Sequence, residues 1–472
     1  MSTKNPLTNH LLKQPLMIPG DKSISHRVLM VASLLQKPSE IDGLLASADV
    51  MATIDCLEHL GITIQANSQG NNHKLSPLIK PEQNTRLQSG ETLVLNAQNS
   101  GTTMRLLSGL LCSDVLSNNT QQIRFTGDDS LQTRPMERII TPLSQMGARI
   151  TGTQSESSPG KITAPLTIQP ALSSALNEIN YTLPISSAQV KSAIIFAGLF
   201  SGTGPTLIIE PTQSRDHTER LLCALDAPLT VSTDKKTITV LPNRHWRAQA
   251  PKQHFQVPGD PSSASFWLTA SACIPGSDLT ISGIGLNPTR IGFLDVLKSW
   301  GALCTVTQTD DYHGEPVGSI RVQAGTLKTS DTGINSIASL GIASLIDELP
   351  VLIAAAVTRP EAFELQGAAE LRVKESDRLH VLCDALKQLG YPVIERPDGV
   401  QINAHSSGPV SHMHPLQPIK TGGDHRIVMA LAVLNLIVDP GSLWSIEAPE
   451  SVAVSYPNFW TTWQQLQAIR LG

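Results

Sequence analysis

The chain has little charge, few aromatics and no long apolar run. Asp, Glu, Lys and Arg make up 16% of its 472 residues, and Phe, Trp and Tyr 4%. With 35 Lys and Arg against 40 Asp and Glu, the formal net charge is −5, so no global positive field draws it onto nucleic acid or an anionic membrane. Scarce aromatics argue further against base stacking. The longest apolar stretches, near Leu349 to Val357 and Ile427 to Val438, fall short of the ~18 residues a membrane span needs. The six cysteines, Cys56, Cys112, Cys223, Cys273, Cys304 and Cys383, contain no CxxC pair and are expected to be buried, reduced thiols. The opening MSTKNPLTNHLLKQPL has no sustained apolar region. It reads as a loose arm, and the cytoplasm is the expected compartment.

Missing motifs narrow the chemistry. GDKS from Gly20 has no glycine five residues earlier, so nucleotide binding by a P-loop is disfavoured, and GIGLNP lacks the third glycine of a dinucleotide fingerprint. There is no HExxH and no Cys/His ligand cluster, so no metal is required. The serines form no nucleophile elbow.

What is present is repetition. A helix-end pattern followed by an apolar strand recurs as LEHLGITI, LSQMGARI, LCALDAPLTV, LKSWGALCTV and LKQLGYPV, with a degenerate sixth copy in WQQLQAIRL. Each of the first five stops at Gly, or at Asp226, residues that tolerate the left-handed backbone of a closing turn. Upstream of each end lies a Gly/Asp/Ser-rich head: GDKSISHR, NSGTTMR, PISSAQVK, GDPSSASF, DELPVLI and GDHRIVMA. Head and end stay 41 to 48 residues apart, so the chain reads as six α/β units of about 80 residues. The kindred heads GDKSISHR and GDPSSASF split these into three plus three. Two similar domains follow, 21–257 and 258–472 with 1–20 joining the second, and Gly20 and Gly259 read as the hinge pair.

The heads place small or hydroxyl residues at helix N-termini, where free N–H groups and a partial positive charge favour anions. Lys22, Arg27, Arg105, Arg134, Lys191, Arg215, Lys374, Arg378 and Arg426 lie in or beside heads or short turns, which implies a substrate with several negative charges. Asp347 and Glu348 open the fifth head, and Glu375 sits between Lys374 and Arg378. A carboxylate hemmed by cations suits a base or a stabiliser of developing positive charge, and a structural salt bridge explains it equally well.

Through GDKSISHR, NSGTTMRLL, RPMERIITPL, SAQVKSA, SRDHTER, GDPSSASF, NPTR, IDELP, ELRVKESDR and GDHRI, the chain resembles the 5-enolpyruvylshikimate-3-phosphate synthases, in their class II bacterial branch, from about Met17 to Leu466. The resemblance implies two domains of three βαβαββ units with buried helices, an inside-out barrel. It also implies a cofactor-free transfer of the enolpyruvyl group of phosphoenolpyruvate to the 5-hydroxyl of shikimate 3-phosphate. By motif, Lys22, Gly101, Arg134, Gln189, Arg378 and Arg426 should hold phosphoenolpyruvate. Lys22, Ser23, Arg27, Ser187, Ala188, Gln189, Ser214, Asp347 and Lys374 should hold shikimate 3-phosphate. Asp347 is the expected base on the 5-hydroxyl, and Glu375 with Lys22 the expected proton carrier at the methylene carbon. The enzyme is expected to act as a monomer that closes about its hinges.

Two positions depart from the family pattern. Gln98 stands where a glycine usually precedes NSGTT, and Val454 stands where some members carry a lysine. Segments near 66–90 and 151–180 read as polar surface excursions. Two alternatives stand beside the main reading. An enolpyruvyl transferase acting on UDP-N-acetylglucosamine is disfavoured because the loop around Arg134 has no cysteine. A noncatalytic anion-binding scaffold is disfavoured by the intact Lys22, Asp347 and Glu375.

Overall fold

All six heads open helices: α1 (Lys22–Leu34), α3 (Gly101–Cys112), α5 (Ala188–Leu199), α8 (Pro261–Cys273), α10 (Leu349–Ala356) and α12 (His425–Val438). In five of them the cap side chain, Asp21, Ser100, Ser187, Asp260 or Asp424, accepts a first-turn backbone N–H, offsetting donors the helix leaves unpaired. These helices are apolar or small on every side and are buried nearly throughout, as such a sequence requires. The second helix of each repeat keeps a polar, exposed face: α2 (Ala48–His59), α4 (Glu137–Gln145), α6 (His217–Ala224), α9 (Phe293–Ser299), α11 (Arg378–Gln388) and α13 (Phe459–Leu471). The short α7 (Trp246–Gln249) completes the set. Five of these second helices end on Gly61, Gly147, Asp226, Gly301 and Gly390, all with positive φ, as the helix-end pattern anticipates.

The computed structural model describes residues 16–66, 77–80, 92–113, 116, 122–154, 160–170, 175–202, 204–250, 253–325, 334–336, 341–404, 417–441 and 443–471. The chain divides into two compact units. The first is Gly20–Pro258 with Asp311–Glu315, and the second is Met1–Pro19, Gly259–Asp310 and Pro316–Gly472. Each has its own hydrophobic core.

The first unit contains three four-stranded sheets. β1 (Ser39–Asp42), β2 (Thr63–Ala66) and β3 (Pro77–Lys80) join β12 (Gln253–Gln256) in the order β12-β1-β3-β2. β4 (Leu93–Asn96), β5 (Ile123–Thr126), β6 (Arg149–Gln154) and β7 (Ile162–Gln169) run β4-β5-β7-β6, and β8 (Asn180–Thr182), β9 (Thr206–Ile209), β10 (Leu229–Val231) and β11 (Thr237–Val240) run β10-β11-β9-β8. Each sheet has one parallel pair and an antiparallel hairpin. In the second and third sheets a buried helix crosses between the parallel strands, which is the βαβαββ pattern. Within this unit α3 packs on both α1 and α5. The approach is so close at Gly109 that a Cβ there would lie 2.2 Å from the Ala193 carbonyl oxygen.

The second unit repeats the pattern less completely. β13 (Asp278–Gly285), β14 (Leu303–Tyr312) and β15 (Glu315–Gln323) run β13-β15-β14, and β16 (Ile334–Ser336), β17 (Ala362–Leu365), β18 (Val393–Arg396) and β19 (Gly399–Ile402) run β16-β17-β19-β18. Around α12 only an isolated parallel bridge, Ile419 to Ile446, remains among the described residues. Pro440, Pro449 and Pro457 remove ladder donors from the following stretch, and it forms a 3₁₀ turn at Pro449–Val454 instead. The helices α8, α10 and α12 pack on one another.

Two expectations are corrected. The region 151–180 is not an excursion where it is described: β7 pairs with two neighbours and buries Ala164, Leu166 and Ile168. Of the 66–90 stretch, 67–76 and 81–90 lie outside the described residues, and 77–80 is β3. Cys223 is exposed, while Cys56, Cys112 and Cys383 are buried. Gly20 also has a packing reason of its own, since a Cβ there would lie 1.9 Å from the Gly43 carbonyl oxygen.

Candidate active site

In the first unit the expected residues gather at the starts of α1, α3 and α5. Lys22 Nζ lies 3.0 Å from Asp49 Oδ2. Arg27, one turn on, is buried and donates to Thr218 Oγ1 (2.7 Å), the Ser23 carbonyl (2.8 Å) and Ser192 Oγ (3.1 Å). Its pKa is lowered to about 10, chiefly by burial, although Glu219 and Asp21 work the other way. Gly101 opens α3, and a Cβ there would stand 3.0 Å from Arg105 Nη1 and 3.5 Å from Arg134 Nη1. A side chain at this position would therefore crowd two guanidinium groups. Arg134 donates to the carbonyl and side chain of Asn99 (3.1 and 2.7 Å) and to Ser130 Oγ (3.1 Å).

Gln189 is fixed at both ends of its amide. Arg105 Nη1 donates to its Oε1 at 2.7 Å, and its Nε2 donates to Thr102 Oγ1 at 2.9 Å. Ser187 caps α5, whose first residue is Ala188. Ser214 donates to Glu210, which also takes the Lys191 ammonium at 2.6 Å. Lys191 is fully buried between Glu210 and Glu219, so its charge is consumed inside the fold. It belongs to the core, and its place in the SAQVK motif gives no sign of that.

The second unit gathers carboxylates around one arginine. Arg378 is 1% exposed and reaches Asp424 Oδ2 (2.8 Å), Glu375 Oε2 (2.6 Å) and Asp347 Oδ1 (3.4 Å). Burial works against its charge, but Asp424, Glu375 and Asp347 outweigh it and lift its pKa above the ordinary arginine value. Burial likewise opposes ionisation of Asp424, yet Arg378 holds that carboxyl below its usual range. Arg426 donates to the Asp347 carbonyl at 2.9 Å and approaches its carboxylate at 3.8 Å. Lys374 is half-buried and makes no side-chain hydrogen bond among the described residues. Burial lowers its pKa, with Asp347 opposing.

Asp347, Lys374, Glu375, Arg378 and Arg426 thus share one neighbourhood of the second unit. Lys22, Ser23, Arg27, Gly101, Arg134, Ser187, Ala188, Gln189 and Ser214 belong to the first. Sequence reasoning missed Asp49 and Thr218, which hold Lys22 and Arg27 from the first turns of α2 and α6; no motif surrounds Asp49, and Thr218 lies unremarked inside SRDHTER. It also missed Asp424, although GDHRI contains it. Among the described residues one group has potential metal-ligand atoms close together, His380, Asp384 and Glu395. Arg372 and Lys387 already pair with its carboxylates, an unfavourable setting for a cation. No helix of the described residues is long and apolar enough to cross a membrane.

Known proteins resemble the chain over nearly its whole length. The profile of the family described as EPSP synthase (3-phosphoshikimate 1-carboxyvinyltransferase) matches residues 8–463. The chain is 42% identical to the 3-phosphoshikimate 1-carboxyvinyltransferase of Thermosynechococcus vestitus, covering 97% of this chain and 96% of that one. It is also 42% identical to the enzyme of that name from Gloeothece citriformis, covering 98% and 95%. The solved structure of an EPSP synthase from Acinetobacter baumannii superimposes with a TM-score of 0.76 at 33% identity, over 97% of this chain and 96% of that one. On these grounds the chain belongs to the EPSP synthase (3-phosphoshikimate 1-carboxyvinyltransferase) family.

Proposed function

We propose that residues of both units serve one reaction, the one for which the family is named. The carboxyvinyl group of phosphoenolpyruvate passes to the 5-hydroxyl of shikimate 3-phosphate, and inorganic phosphate leaves. One observation carries this division of labour: the first unit holds Arg27 and Arg134 on neutral partners, while the second ties Asp347, Glu375 and Asp424 to Arg378.

In this reading Lys22, Gly101, Arg134, Gln189, Arg378 and Arg426 bind phosphoenolpyruvate. Lys22, Ser23, Arg27, Ser187, the backbone of Ala188, Gln189, Ser214, Asp347 and Lys374 bind shikimate 3-phosphate. Asp347 takes the 5-hydroxyl proton as that oxygen bonds to C2 of phosphoenolpyruvate, whose methylene carbon gains a proton. Loss of a proton from the new methyl group, with departure of phosphate, restores the double bond. Glu375, with Lys22, gives and recovers the carbon-bound proton. Arg378 orients Asp347 and Glu375, and acid/base assistance of this kind contributes about 100- to 10,000-fold. The segments near 20 and 258 act as the hinge, and the enzyme works as a monomer in the cytoplasm.

The test is phosphate release by the purified chain. Release that requires both substrates together is expected. Release from phosphoenolpyruvate alone, or none with both present, contradicts the reading, and release with UDP-N-acetylglucosamine as acceptor favours the alternative transferase.

A further inference from the structure

A buried polar relay leads to the first turn of α3, and the reaction above leaves it unused. His26 on α1, Thr53 on α2, Thr103 on α3 and its cap Ser100 are all fully buried. His26 Nδ1 lies 2.7 Å from Thr53 Oγ1, that oxygen lies 2.7 Å from Thr103 Oγ1, and the Thr103 hydroxyl donates to Ser100 Oγ at 2.7 Å. The other ring nitrogen, His26 Nε2, is buried with no partner among the described residues.

That orphan nitrogen sets the direction of the relay. A buried N–H without an acceptor is rarer and costlier than a lone pair without a donor, so Nε2 is the unprotonated nitrogen and Nδ1 carries the hydrogen. Burial, reinforced by the charges of Lys22 and Arg27, holds the His26 pKa well below its usual 6.5, so the ring is neutral and has one hydrogen to give. Each hydroxyl also has one, and donation therefore runs from His26 to Thr53, to Thr103 and to Ser100. Ser100 Oγ accepts the Thr103 backbone N–H as well, at 3.1 Å, which fills both of its acceptor positions. The cap is thereby held in one rotamer. The N–H groups of Gly101 and Thr102 keep no partner among the described residues, as the first turn of a helix requires if it is to meet an anion.

We infer that His26, acting through Thr53 and Thr103, is a positioning residue that presets the Ser100–Gly101 turn for phosphoenolpyruvate. The inference rests on reading that turn as the phosphoenolpyruvate site. Two measurements on the full-length chain test it. Long-range ¹H–¹⁵N correlation of the ligand-free protein should show His26 neutral and protonated on Nδ1, and a ring protonated on Nε2 would overturn the inference. Thr53→Val should raise the KM for phosphoenolpyruvate about threefold to tenfold, the worth of one neutral hydrogen bond. The KM for shikimate 3-phosphate should stay within about twofold, and Thr53→Ser should restore the wild-type value. Thr103→Ala cuts the relay one bond later and reads the same split if Thr53→Val does not fold. Equal losses for both substrates, or no loss in a folded variant, would overturn the positioning role. A wild type with the expected tautomer but no turnover would fault the assignment of the turn and leave the relay standing.

Discussion

Arg134 in the first unit and Arg378 in the second are both buried, and their surroundings are opposite. Arg134 donates to Asn99 and Ser130, so no carboxylate cancels its charge by direct contact. Arg378 is met by Asp347, Glu375 and Asp424. The same side chain therefore does two jobs. With neutral partners it stays available to an anionic ligand, and among carboxylates it holds them in place. In the proposed reading Arg134 is left to meet an anionic substrate, and Arg378 positions the carboxylates that move protons.

The comparison breaks most visibly through stability. Arg378→Met strands the buried Asp424 carboxylate and should cost about 3–5 kcal/mol, read from urea midpoints. Arg134→Ala should cost less than about 2 kcal/mol of stability, since it frees only neutral groups. It should instead remove about 2–4 kcal/mol of transition-state binding, seen as a 30- to 1,000-fold fall in kcat/KM. Similar stability losses in the two variants would erase the distinction.

Acid titration sharpens it. Asp424 has its carboxyl depressed in the native state, so below about pH 4 the unfolded chain holds more protons and stability rises with pH. The contribution is lost as pH falls through the native value, and Arg378→Met should flatten or reverse that slope. His26 acts at higher pH with the same sign. Below about 6.5 the unfolded ring takes a proton that the native ring refuses, so stability should fall by about 1.4 kcal/mol per pH unit until the native ring titrates. His313, also lowered by burial, adds to this slope, so His26→Gln should reduce it without abolishing it.

The smallest effect concerns Gln98, which holds φ at 50°, a backbone conformation that costs a non-glycine residue about 1–2 kcal/mol. Glycine relieves this but loses chain entropy of about 0.5–1 kcal/mol. Gln98→Gly should therefore stabilise by about 0.5–1 kcal/mol, checked by thermal unfolding. This left-handed backbone also explains why the family pattern favours glycine at the position.

Much of this was legible in the sequence because it is local. Caps such as Asp21 and Ser100, apolar runs such as AIIFAGL, and the glycines that close the outer helices each reveal their role within a few residues. Long-range partners were not legible. Lys191 looks like a ligand-binding cation in SAQVK and is a buried member of an ion triad with Glu210 and Glu219. Arg378 reads simply as a phosphoenolpyruvate ligand until Asp424, 46 residues away, is seen beside it. The turn at Asp311–Glu315 looks like an ordinary hairpin tip. Yet Glu315 pairs with the buried His217 at 2.7 Å and His313 packs on Phe255, contacts that no periodicity announces.

Steady-state kinetics of Glu375→Gln, with both substrates varied, tests the division of labour most directly. The variant should keep its KM for phosphoenolpyruvate within about threefold while kcat falls about 100-fold or more. A raised KM with kcat intact would make Glu375 a binding group and contradict its assignment to proton transfer.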